Sequence, residues 1–322
     1  MDFMSFLKEI LRGLDRNTII YVVVHEHPDG DAVGSQTALT LYLRKLGWQA
    51  FALQTEPLSA SYDYFVRDVP TQRPEDISTE ANNVFIALDC NTIERIAEAV
   101  RFQKYLAVID HHPEMDPWSK YRYTLVTASS TCEILMDLLT RDGYKFDHRQ
   151  INDSIYLGLL TDSGNFSHSN ISKHTFECAE GLVAAGVQPY LIIQRVFNNK
   201  TPAQLKLQSV FLNNVQVFSN GAIAISTLSP QDYATTHTCH NDTEGFVNQL
   251  LTLKNAKIAA FIEYGAEKVS CSLRSSDPNI AVNQVALKHG GGGHTCAAAC
   301  KIEPQYFNLK EFINELDSLL NP

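Results

Sequence analysis

Short apolar runs recur through the first half of the chain. Each ends in a polar or glycine-bearing turn, and a stretch at helical spacing follows. Residues 18–24 (TIIYVVV) predict a buried strand. Pro28 and Gly30 stop it, and residues 34–46 carry helical periodicity. Further strands are expected at 49–54, 84–88, 106–109 and 121–126. Residues 55–83, with prolines at 57, 70 and 74, read as irregular. Helices are expected at 92–102, at 134–139 behind the capping-box spacing Ser130 to Glu133, and at 151–160, a run longer than most strands. Two more are expected, at 174–185, closed by Gly186, and from Pro189 to Phe197. The alternation predicts an α/β fold with a doubly wound, mostly parallel sheet. Ahead of it, Phe3, Phe6, Leu7, Ile10, Leu11 and Leu14 form one face of an amphipathic helix that docks onto this domain.

A polar break at Asn198-Asn199-Lys200-Thr201-Pro202 marks the expected boundary. It divides the chain into a domain at 1–197, a linker at 198–206 and a second domain at 207–322. The second part has a different rhythm. Strands are expected at 222–228, 258–263, 269–273 and 297–302, with helices at 282–289 and 309–320. This is a smaller α+β module.

Composition narrows the chemistry. At 322 residues with 44% hydrophobic and 19% charged positions, the chain can fill two cores. No run is long enough to span a membrane, and the N-terminus is too mixed in charge for a signal peptide. Seven scattered cysteines argue for a reducing, cytoplasmic setting, and neither Cys239-His240 nor Cys296–Cys300 has the paired Cys-x-x-Cys spacing of structural zinc. A net charge of −10 with no basic tract argues against long duplex nucleic acid. It favours short RNA or a small phosphorylated nucleotide, with metals supplying local positive charge. The sequence is compatible with a homo-oligomer.

The candidate chemistry gathers at strand ends. His25, His27, Asp29 and Asp31 fall within seven residues after the first strand. A solvated Asp-Gly turn with a chance histidine is the plain alternative. Close carboxylates mixed with imidazole suit Mn²⁺, Mg²⁺ or Zn²⁺. Asp89 ends the run at 84–88, Asp110-His111-His112 the run at 106–109, and Asp162 the run at 155–160. A sheet that delivers these groups to one edge makes a cluster rarely tolerable without metal.

The segment His25–Ser35, the lone Asp89, Asp110-His111-His112 and Asp162 together resemble the DHH phosphoesterases over nearly the whole chain. The likeness is greatest to the branch that degrades very short RNA and dephosphorylates 3′-phosphoadenosine 5′-phosphate. The resemblance implies a metal domain facing a DHH-associated domain across a cleft, and two divalent ions per chain, Mn²⁺ ahead of Mg²⁺, about 3.5–4 Å apart. One ion falls to His25, Asp29 and Asp89; the other falls to Asp31, His111 and Asp162, with Asp89 bridging. Asp110 orients a ligand imidazole, and His112 contacts the phosphate. His27 stands where the family motif is free, so it is not counted as a ligand. Gly291, Gly292, Gly293 and His294, in a glycine loop, hold the substrate's phosphate or ribose together with Arg274 and Ser275. Ala299 and Cys90 depart from the usual pattern. The same motifs serve exopolyphosphatases and pyrophosphatases, which leaves inorganic substrates as the alternative. A non-catalytic nucleotide-binding protein is the reading from another class.

Overall fold

In the computed structural model the described residues are 6–78, 82–113 and 118–320. They fall into two compact units, Met1–Asn199 and Lys200–Pro322.

The first unit runs α1 (Phe6–Arg12), β1 (Ile19–Val23), α2 (Gly30–Lys45), β2 (Gln49–Leu53), α3 (Asp63–Val66), β3 (Thr71–Gln72), β4 (Asn83–Leu88), α4 (Glu98–Arg101), β5 (Tyr105–Asp110) and β6 (Tyr121–Thr124). Four helices complete it: α5 (Thr131–Asp142), α6 (Arg149–Asp162), α7 (Lys173–Ala184) and α8 (Pro189–Val196). Six strands pair in the order β3-β2-β1-β4-β5-β6, all parallel. The order reverses between β1 and β4, and open α/β sheets bind ligands at the carboxyl edge of such a switch point. Side chains alternate across β1. Ile20 and Val22 enter the core under α1, α2, α5, α6 and α7, while Tyr21 and Val23 enter a thinner core with Phe85, Ile96 and Val100. Phe6, Leu7, Ile10 and Leu11 of α1 are buried in the larger core. Phe3 lies outside the described residues.

Four local readings need correction. Residues 55–83 are not wholly irregular: they contain α3 and β3, and Tyr21 Oη donates to Gln72 Oε1 at 2.9 Å beside the edge strand. The helix expected at 92–102 is broken. A 3₁₀ turn at Ile93–Arg95 and the short α4 flank an extended Ile96-Ala97, because Ile96 turns fully into the core. The freed carbonyls of Ile96 and Glu94 accept from Arg101 instead. Helix α2 begins at Gly30, not at residue 34, because Asp29 is its N-cap. Glu133 does not close a capping box; its carboxylate accepts from Ser129 Oγ at 2.6 Å and Thr175 Oγ1 at 2.8 Å, which ties α5 to α7.

The second unit runs α9 (Pro202–Asn213), β7 (Gln216–Phe218), β8 (Ile223–Leu228), α10 (Pro230–Thr236), α11 (Phe246–Leu250), β9 (Ile258–Tyr264), β10 (Val269–Ser275), α12 (Asn283–Lys288), β11 (Gly292–His294), β12 (Ala297–Ile302) and α13 (Leu309–Ser318). Its sheet has the order β11-β12-β10-β9-β8-β7, antiparallel except for β8 with β9. One face packs on α12 and α13, the other on α9 and α11. Residues 202–206, expected in the linker, belong to α9. The polar break is a helix start in which Thr201 and Gln204 cap each other and Pro202 opens the first turn.

Candidate metal centre

The centre forms where β1, β4 and β5 end and where α2, α5 and α6 converge on the same edge. His25 follows β1. Its Nδ1 sits 2.8 Å from the Glu26 carbonyl, which can only accept, so Nδ1 carries the proton. Nε2 is then the nitrogen that carries the lone pair. It is buried without a hydrogen-bond partner and lies 3.3 Å from Asp89 Oδ2. His111 repeats the device. Its Nδ1 faces the Ala128 carbonyl at 3.4 Å, and Nε2 lies 3.4 Å from Asp89 Oδ1 and 3.1 Å from Asp162 Oδ2. Backbone carbonyls thus fix the tautomer of both imidazoles.

Asp89 lies between them. It is buried in the left-handed region at φ 55°, where a non-glycine residue is strained. Its N–H donates to the Ile109 carbonyl, and Thr131 Oγ1 donates to its Oδ1 at 3.2 Å. Burial alone would raise its pKa, but His111, His25 and His112 hold the carboxyl well below the usual range. One oxygen faces His25 and the other faces His111.

Asp29 and Asp31 divide the α2 N-terminus. Asp29 Oδ1 accepts from the Asp31 and Ala32 amides as the cap. Asp31 is fully buried in the first turn. Its Oδ2 and Oδ1 accept from the Thr131 and Cys132 amides at 2.7 and 2.9 Å, the start of α5. Burial, then the charges of Asp89 and Asp162, push Asp31 well up. Burial also raises Asp162, against the pull of His111. The ion pairs of these carboxylates are all to imidazoles among the described residues.

Three triads bring one ligand atom each within 4.8 Å of one another: His25 with Asp29 and Asp89, Asp31 with Asp89 and His111, and Asp89 with Asp110 and His112. The residue held by Asp110 differs from expectation. Its Oδ1 accepts from His112 N–H at 3.1 Å and His112 Nδ1 at 2.8 Å, so it orients His112 and not the ligand candidate His111. The exposed His27 pairs with Glu56.

Sequence reasoning missed the glycines that let the helices close on this site. A Cβ on Gly158 of α6 would overlap Asp31 Oδ1 and Cys132 Sγ; one on Gly30 would overlap the Thr161 side chain, and one on Gly34 the Ser154 carbonyl. An isolated glycine inside the helical pattern of α6 was the available signal. The amides of Thr131 and Cys132 that hold Asp31 were missed because backbone donors leave no side-chain signature, and the Thr131 hydroxyl that reaches Asp89 reads in the sequence as an ordinary first-turn residue.

In the second unit, Arg274 on β10 donates from Nε to Asn248 Oδ1 at 3.1 Å. Ser275 Oγ is engaged in a turn with Asp277. The glycine run is not the expected open loop. Gly292, Gly293 and His294 form edge strand β11, paired with Ala299, Ala298 and Ala297. Gly291 and Gly293 lie so close to β12 that a Cβ would overlap the Ala299 and Ala297 carbonyls.

Residues 19–161 match the DHH family, N-terminal domain, and residues 231–321 match the DHHA1 domain. The chain belongs to the DHH family. Members of this family are divalent-metal-dependent phosphoesterases, and the chain is a hydrolytic enzyme of that class. A bifunctional oligoribonuclease and PAP phosphatase NrnA of Bacillus subtilis is 27% identical over 306 residues, 91% of this chain and 92% of the relative. The protein of that name from Thermus thermophilus is 25% identical over 303 residues, 93% of this chain and 88% of the relative. An exopolyphosphatase-related protein from Bacteroides fragilis shares the fold, with a TM-score of 0.83 at 23% identity over 99% of this chain and 95% of the other. Among the described residues of the DHH protein, no helix is long and apolar enough to cross a membrane.

Proposed function

We propose that this DHH protein hydrolyses very short RNA to mononucleotides and removes the 3′-phosphate from 3′-phosphoadenosine 5′-phosphate. The observation that carries the reading is Asp89, which faces His25 with one oxygen and His111 with the other, in a chain matched nearly end to end by relatives of that name. His25, Asp29 and Asp89 hold one divalent ion; Asp31, His111 and Asp162 hold a second, with Asp89 common to both. The donor set fits: hard carboxylate oxygens mixed with imidazole suit Mn²⁺ or Mg²⁺, and the buried Nε2 of His25, which makes no hydrogen bond and lies 3.3 Å from Asp89 Oδ2, suits a cation held between the two. Such ions supply Lewis-acid charge and an activated water at neutral pH.

The chain's own residues do the rest. Asp110 locks the His112 ring, and His112 serves the phosphoryl group as a hydrogen-bond donor. Glu26 and Ala128 carbonyls keep the two ligand imidazoles in one tautomer. In the DHHA1 domain, Arg274 grips phosphate or stacks on a base. The glycine run with His294 receives the ribose or terminal phosphate, and Ser275 shapes the turn behind Arg274.

A rate comparison of Mn²⁺-loaded enzyme on 3′-phosphoadenosine 5′-phosphate, a diribonucleotide, a long RNA, pyrophosphate and polyphosphate tests the reading. Fast turnover of the first two is expected. Turnover confined to the inorganic substrates would overturn the substrate assignment and leave the metal assignment standing.

A further inference from the structure

A second set of metal donors lies on the first unit, outside the centre described above. His174 and Cys178 are one turn apart on α7, and Asp137 faces them from α5. One ligand atom from each lies within 4.8 Å of the others. His174 Nε2 is 3.1 Å from both Asp137 carboxylate oxygens and 3.6 Å from Cys178 Sγ. Bond lengths of about 2.0–2.1 Å to nitrogen or oxygen and 2.3 Å to sulfur place tetrahedral neighbours about 3.3 Å apart for N and O, and about 3.6 Å for N and S. Two of the three edges, His174 to Asp137 and His174 to Cys178, therefore already stand near those of one tetrahedron, and the third is within 4.8 Å. The other ring nitrogen, Nδ1, lies 3.6 Å from Glu177 Oε2. A carboxylate on that side can hold the Nδ1 proton when Nε2 binds an ion, as at metal-bound histidines.

We propose that Asp137, His174 and Cys178 form a binding site for a thiophilic divalent cation, Zn²⁺ in preference to Mn²⁺ or Mg²⁺. Thiolate with imidazole selects zinc over the hard cations that suit an oxygen-rich centre. Binding releases the thiol proton to solvent, and the imidazole coordinates through Nε2 as the tautomer that keeps its single proton on Nδ1, toward Glu177. The thiol is buried while His174 and Asp137 are open to solvent, so three protein ligands leave the fourth position to water. Burial and the charges of Asp137, Glu133 and Glu177 push the Cys178 thiol up to about 12, so it stays a thiol without the ion. The ion would join α5 to α7, beside the existing link from Thr175 to Glu133.

Co²⁺ titration of the full chain tests this independently of catalysis. Sulfur-to-Co²⁺ charge transfer gives a near-ultraviolet band that carboxylate and imidazole ligands do not produce. One equivalent of band-forming Co²⁺ is expected, bleached by Zn²⁺, absent in Cys178→Ser and intact in Cys132→Ala. His174→Ala, a change at an exposed side chain, should weaken Co²⁺ by about tenfold or more while the chain stays folded. Absence of the band in the native chain, its persistence in Cys178→Ser, or unchanged affinity in His174→Ala would overturn the proposal.

Discussion

Gly158 touches Asp31 because it has no side chain. A Cβ at Gly158 would overlap the carboxylate oxygen that accepts from Cys132 N–H, and also the Cys132 sulfur. Helix α6 must be bare at this point for Asp31 to reach α5. Gly158→Ala should cost about 1–3 kcal/mol by overpacking and displace Asp31. Urea unfolding and Mn²⁺ binding measured together check this, with Gly181→Ala as a milder control, since its nearest neighbour is the flexible end of Met136 at 3.1 Å. Native stability and native Mn²⁺ affinity in Gly158→Ala would contradict the packing argument.

Asp110 acts through His112. Asp110→Asn keeps the shape but removes the charge that holds Nδ1–H. We expect kcat to fall about 10–100-fold with metal content unchanged, and the pH–rate profile to move. Loss of metal instead would make Asp110 a ligand and not a positioning residue.

Metal-free protein should lose stability as pH rises. Burial and Arg95 would lower His25, and burial would lower His111, but Asp89 and Asp29 around the first and Asp162 and Asp89 around the second hold both above the usual histidine range. A histidine pKa raised on folding contributes stability that is full below the unfolded value of about 6.5 and is lost as pH rises through the folded value. The raised carboxyls of Asp31 and Asp162 act in the same direction from about pH 4; the depressed Asp89 opposes them only in acid. The Tm of chelator-treated protein should therefore fall above about pH 6.5, and Mn²⁺ should flatten the slope. A chelated protein whose Tm rises over that range would contradict the assignment.

The glycine run separates structural from permissive positions. Gly291→Ala should destabilise the β11–β12 hairpin by about 1–3 kcal/mol, because its Cβ meets the Ala299 carbonyl. Gly292 has open space around it, so Gly292→Ala should stay within about 0.5 kcal/mol. Denaturant unfolding of both variants decides; equal effects would mean the run is not held by β12.

The parallel sheet was legible because β1, β4 and β5 are apolar runs ending in chemistry-bearing residues, a pattern period and composition both report. Asp89, Asp110 and Asp162 could be placed at element ends for the same reason. The start of α2 was misjudged by four residues, since Asp29 reads as a turn former and a cap alike. The break at Ile96 was hidden because burial, not propensity, decides it. The partner of Asp110 could not be read at all, because which ring a carboxylate reaches depends on backbone direction after β5. The strand in the glycine run escaped notice because glycine carries no strand signal of its own; contact with β12 creates it.

Metal stoichiometry is the most direct test of a two-ion centre built on Asp89. Mn²⁺ bound per chain would be measured by elemental analysis for native protein and Asp89→Asn, with circular dichroism confirming the fold of both. Two tightly held ions in the native chain, both lost or strongly weakened in the variant, are expected. A native chain that holds one ion or none, or a folded Asp89→Asn that keeps two, would contradict the shared-carboxylate account.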